Sequence, residues 1–94
     1  MAMIVGTLKL RLLIRESRSL KDKRRVVKSI KDRVRAGFNV SVAELEAHDS
    51  HQHAVLGVAV VSNEKRAAQA MLSQVVNLVR SHPVAQLVDY QLEI

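Results

Sequence analysis

The chain has no cysteine and no tryptophan, one proline, three glycines and only two aromatic residues, Phe38 and Tyr90. Each shortage removes a class of chemistry. Without thiols there is no disulfide framework, thiolate nucleophile, iron–sulfur cluster or cysteine-based zinc site. With two aromatics the core must be aliphatic. A base-stacking platform of the kind that reads single-stranded RNA cannot be assembled from them either. The glycines, Gly6, Gly37 and Gly57, stand alone. They form neither a phosphate-binding loop nor a dinucleotide fingerprint, and no nucleophile elbow is present. The longest apolar run, residues 54–61, is far shorter than the ~20 residues a membrane-spanning helix needs. The apolar N-terminal stretch is broken by Lys9 and Arg11, unlike the core of a secretory signal. The expectation is a cytoplasmic protein without membrane association.

What is present is periodicity. In residues 3–15, Ile4, Leu8, Leu10, Leu12 and Ile14 alternate with Thr7, Lys9, Arg11 and Arg15, the period-two pattern of a half-buried strand. Ser19 is a good helix cap, and Asp22 three residues later approximates a capping box. Residues 20–36 then switch to helical spacing, with Leu20, Val27, Ile30 and Val34 on one face and Val26 at its margin. Gly37 follows as an expected left-handed C-cap. A second strand is predicted over 39–46, a polar loop over 47–53 and a central strand, apolar on both sides, over 54–61. Ser62 or Asn63 caps a second helix that runs to about Ser81, with Ala67, Met71, Leu72, Val75, Leu78 and Val79 as its apolar set; Pro83 marks its exit. The last strand, 86–94, places Val88, Tyr90, Leu92 and Ile94 on one face. The order βαββαβ in 94 residues predicts a single α+β domain, a ferredoxin-like two-layer sandwich with both helices on one face of a four-stranded antiparallel sheet. Strands one and three should be central, and two and four should be edges bearing Glu44, Glu46, Asp89 and Glu93.

The net charge is +6, and its placement is uneven. Residues 15–35 hold ten Lys or Arg against Glu16, Asp22 and Asp32, a local excess of +7; the rest of the chain holds five basic and six acidic residues. At 100° per residue, Lys21, Arg24, Arg25, Lys28, Lys31 and Arg35 share an arc about 120° wide, opposite the apolar face. From Lys21 to Arg35 they form a ridge about 21 Å long at 1.5 Å per residue. Like charges at i,i+4 cost about 0.2–0.5 kcal/mol per pair, and Lys21, Lys23 and Arg24 sit in the first turn, where the helix dipole disfavours cations. Local stability does not explain the ridge; a phosphodiester backbone lying along it would relieve both penalties. Arg15, Arg18 and Ser17 stand just before the helix, where first-turn N–H groups could help hold a phosphate. The competing explanation is a solvated face that keeps the protein soluble.

Two weaker constellations remain. His48, His51 and His53 lie within six residues with Asp49; a metal site is conceivable, but no HExxH spacing or second cluster supports one, and a polar hairpin loop is the simpler reading. His82 should sit near the carbonyls that end the second helix. No cofactor and no catalytic pair is recognised.

The stretch Ser19-Leu20-Lys21-Asp22-Lys23-Arg24-Arg25, with segments 37–44 (GFNVSVAE) and 54–63 (AVLGVAVVSN), closely resembles the YlxP-like family of small bacterial proteins, catalogued as domain of unknown function 503. The resemblance covers nearly the whole chain. It implies a ferredoxin-like fold and a bacterial cytoplasm. Genes of this family often stand beside those of translation initiation factor two and ribosome-binding factor A, so the resemblance implies RNA or ribosome-associated work without supplying an activity. Where relatives are expected to carry an aromatic-containing stretch such as Asp-Leu-Trp-Gln-Arg-Ala, this chain has Asp49-Ser50-His51-Gln52-His53-Ala54.

Three readings follow. The first is a basic RNA- or ribosome-associated binding protein that contacts phosphates through Lys21, Arg24, Arg25, Lys28, Lys31 and Arg35, with Arg15 and Arg18 beside them. The second is a homo-oligomer, a homodimer for instance, whose basic helix meets acidic residues such as Glu44, Glu46 and Asp49 of a partner. The third is an enzyme or small-anion binder at the 15–19 turn.

Overall fold

The computed structural model describes residues 2–94. Six elements follow one another: β1 (Ile4–Leu13), α1 (Leu20–Gly37), β2 (Ser41–Glu46), β3 (His53–Ser62), α2 (Lys65–Arg80) and β4 (Gln86–Glu93). The strands form one antiparallel sheet in the order β2-β3-β1-β4. The long strands β1 and β3 lie at the centre, and the chain is the expected α+β, ferredoxin-like sandwich. Even-numbered residues of β1 and β3, such as Leu8, Leu10, Leu12, Leu56 and Val58, are buried beneath the helices. Odd-numbered ones, such as Lys9 and Arg11, line the opposite face, which no helix covers.

α1 begins as its sequence dictates. The Ser19 hydroxyl accepts from the Asp22 amide at 3.1 Å, and the Asp22 carboxylate accepts in return from the Arg18 amide at 3.1 Å. Its end differs from expectation. Gly37 is the last helical residue and has no positive φ; Phe38, extended at φ −144°, is the cap, and its N–H closes the helix on the Val34 carbonyl. No left-handed residue is needed because the chain leaves the helix directly into an extended segment. α1 packs over the edge strand β2, whereas α2 lies over β1, β3 and β4.

α2 starts at Lys65, one or two residues later than predicted, with Glu64 instead of Ser62 or Asn63 at its cap and making no side-chain bond. The buried face of α2 is Ala68, Leu72, Val75, Val76 and Val79, so it is rotated from the predicted set: Ala67 is exposed, and Met71 and Leu78 are half-buried. In β4 a register shift opposite Arg11 and Leu12 inverts the alternation. Leu87 is therefore half-buried, while Val88 is 54% exposed. A second shift between Glu44 and Glu46 brings Glu46 onto the open face of the sheet, where Leu45 lies over Gly57. No helix among the described residues is long and apolar enough to cross a membrane.

Candidate nucleic-acid interface

The basic side of α1 lies along the margin of the molecule, beside edge strand β2. Lys21, Arg24, Arg25, Lys28 and Arg35 are exposed and Lys31 is half-exposed. Arg24, Lys28, Lys31 and Arg35 line one wall of a shallow groove of about 350 Å³; Glu44 of β2 lies in the groove, with Asp32 and Val27. At the C-terminal end Arg35 Nη2 donates to the Val42 carbonyl at 3.2 Å. That contact ties the ridge to the sheet edge and occupies an acceptor that an edge strand would otherwise leave open.

Carboxylates scarcely neutralise the ridge. Among the described residues, only Lys28 of the eight predicted contacts has one within ion-pair distance, Asp32 at 2.7 Å. The Lys28 hydrogen bond, with Arg35 and Lys31 adding their charge, holds the Asp32 carboxyl below the ordinary aspartate value. Cations a turn away are thus felt at Asp32.

The turn before α1 is more committed. The Ser17 side chain is buried, and its hydroxyl donates to the Ser19 carbonyl. Arg15 Nε donates to Gln86 at 3.2 Å, and the Arg18 amide is taken by Asp22. Gln52 fastens the same turn by donating to the Arg15 and Ser17 carbonyls. The first-turn Asp22 amide is occupied by Ser19. The side chain of Arg18 remains exposed and that of Arg15 extends from the same turn, so both can extend the ridge, whereas Ser17 has no free donor to add.

Lys23 belongs to the same run of cations but not to the ridge. It has no exposed surface. Its Nζ donates to the carbonyls of Ala47 at 2.7 Å, His53 at 3.3 Å and His48 at 3.5 Å, and lies 3.1 Å from Glu44 Oε2. Three protons serve three carbonyls, so the carboxylate oxygen meets the ammonium off-line and receives no hydrogen bond. The β2–β3 connection is thereby folded over a lysine, with Ala47 held at φ 63°. The signal for this was in the spacing: Lys23 falls in register with Val27, Ile30 and Val34 on the apolar stripe. Read as one more charge in a basic run, it was overlooked.

Two of the three acidic residues proposed to meet the ridge of a neighbouring copy, Glu44 and Glu46, are engaged internally, while Asp49 is exposed. Glu44 faces Lys23, and Glu46 accepts from Lys9 at 3.0 Å, a hydrogen bond that lowers the Glu46 carboxyl pKa. The histidines of the loop have separate contacts. The His48 ring lies against the Glu44 carbonyl, and that of His53 against the Ser50 hydroxyl. His82 sits at the end of α2 as expected, its amide donating to the Val79 carbonyl at 3.1 Å, while its ring turns the other way, Nδ1 accepting from the amides of Val84 and Ala85.

Residues 5–92 match the family described as "Protein of unknown function (DUF503)". The chain belongs to the DUF503 family. A curated relative, the uncharacterized protein YlxP of Bacillus subtilis (strain 168), is 34% identical over 80 residues, covering 85% of this chain and 87% of that protein. Among solved structures, the de novo designed protein Foldit4 is similar at a TM-score of 0.56 and 14% identity, covering 97% of this chain and 98% of its own. That likeness concerns the fold alone. In this DUF503 protein the start of the ridge and the buried lysine beneath it come from one motif, Ser19 to Arg25.

Proposed function

We propose that this protein is a non-catalytic, cytoplasmic RNA-binding accessory that docks on the phosphate backbone of structured RNA, such as that of the ribosome, through the basic side of α1. The observation that carries the reading is the near absence of carboxylate partners along that side: among the described residues, Lys28 alone has one. The helix is held rigidly enough to present the ridge as a unit, capped at Ser19, tied to β2 by Arg35 and anchored beneath by Lys23. The choice of RNA over DNA rests on the family resemblance, since a row of cations reads charge and groove shape, not base identity.

The test is a fluorescence-anisotropy titration of a labelled RNA hairpin at several salt concentrations. A ridge of this length can neutralise about four phosphates, so log K should fall with log salt at a slope of about −3 to −4. Affinity should drop about a hundredfold between 50 and 200 mM monovalent salt. The Arg24→Glu, Lys28→Glu double variant changes two exposed residues, so its circular dichroism should match the parent. It should bind at least about tenfold more weakly with a shallower slope. Absence of binding by the parent at low salt, or undiminished binding by the double variant, would overturn the proposal.

A further inference from the structure

The face of the sheet opposite the helices has the reverse character of α1. Its charged groups are mostly paired. Lys9 of β1 reaches across β3 to Glu46 of β2 at 3.0 Å, and Arg11 meets Asp89 of β4 at 3.4 Å. With Glu93 included, the face carries two positive and three negative charges, in a molecule of net +6. Beside and beyond the pairs the surface is apolar. Val61 is 67% exposed and Leu45 is 48% exposed. Gly57 is what lets Leu45 lie down: a Cβ there would come within 2.8 Å of Leu45 Cδ1. Two shallow troughs, of about 400 and 470 Å³, lie on either side of this knob, one floored by Thr7, Ala43 and Ala59, the other by Leu13 and Val55.

We propose that this face is where a second copy of the chain docks, sheet against sheet, with both basic helices turned outward. Three observations select a second copy. First, the face carries almost no net charge. An acidic partner or a polyanion would be drawn to α1, and a basic partner would meet the repulsion of the whole molecule. Second, a half-exposed leucine beside a trough is self-complementary about a two-fold axis, the usual arrangement of a homodimer. Third, the area is adequate. Strands of 10, 6, 10 and 8 residues, at about 3.3 Å per residue and about 4.8 Å between strands, present about 540 Å² of flat face. Two copies would bury about 1,100 Å², at the lower bound for a specific interface. The ion pairs enter the contact already matched, which limits their desolvation cost without removing it. The dimer is accordingly a modest one, with a dissociation constant on the order of micromolar. It differs from an association through the basic helix, and it does not depend on whether RNA binds.

The experiment is sedimentation equilibrium of the full chain over about 1 to 500 µM, a range that brackets that constant. The mean mass should rise from 10.5 kDa toward twice that value. Val61→Lys places a charge on an exposed site that the fold does not need; it should weaken association at least about tenfold, since every dimer would cover two such charges without a partner for either. The Arg24→Glu, Lys28→Glu variant should dimerise like the parent. A protein that stays monomeric at every concentration would leave the face to some other partner and overturn the proposal. Dimers indifferent to Val61→Lys, or abolished by the α1 variant, would overturn it equally.

Discussion

An ammonium group without access to water needs an acceptor for each of its protons and a counter-charge nearby. Lys23 has three carbonyls and Glu44, all supplied by β2 and the connection to β3. Replacing it with Met keeps most of the aliphatic stem but strands the carbonyls and leaves a largely covered carboxylate unmatched. The Lys23→Met variant should lose about 3 kcal/mol in urea unfolding, and adding Glu44→Leu should restore at least half of that loss. If the pair mattered only as surface charge, both variants would unfold close to the parent. The residue scale is also where the sequence was hardest to read. The exposed ridge follows from 100° geometry, so Lys21, Arg24, Arg25, Lys28 and Arg35 fall where expected. Whether a lysine on the apolar stripe is covered depends on a loop arriving from 24 or more residues away, which no local pattern contains.

Among the elements, strand and helix identity were legible because periods of 2 and 3.6 are well separated in this chain. What the periods could not show was where they break. The β4 bulge reverses which of Leu87 and Val88 faces inward, and the β2 bulge turns Glu46 onto the open face. The cross-sheet pairs Lys9–Glu46 and Arg11–Asp89 depend on those registers. The exit of α2 is similarly non-local. Burial, with Arg33 of α1 adding like-charge repulsion, pushes the His82 imidazole below its ordinary value of 6.5. Its neutral Nδ1 also accepts two amides. The unfolded chain therefore binds the proton more readily than the folded one. This contribution to stability is present above about pH 6.5 and declines as pH falls toward the lower folded value. Unfolding midpoints measured from about pH 7.5 to 5.5 should fall more steeply for the parent than for His82→Gln; equal slopes would contradict the assignment.

At the scale of the molecule, the chain separates two surfaces with the sheet between them: cations beside one layer, apolar relief on the other. The body is elongated, 48 × 21 × 20 Å, and the ridge runs along part of one margin. Binding at one surface leaves the other free, so RNA affinity and self-association should respond to different substitutions. The buried lysine has one more consequence. Amines react with acylating reagents only when solvent reaches them. Of six lysines in the chain, Lys21, Lys28 and Lys65 stand open and should be acylated at once. Lys23 should be modified only as fast as the β2–β3 connection lifts away. Followed by mass spectrometry, that one side chain becomes a clock for how often the protein opens, and the clock should speed up in urea while the exposed sites keep their pace.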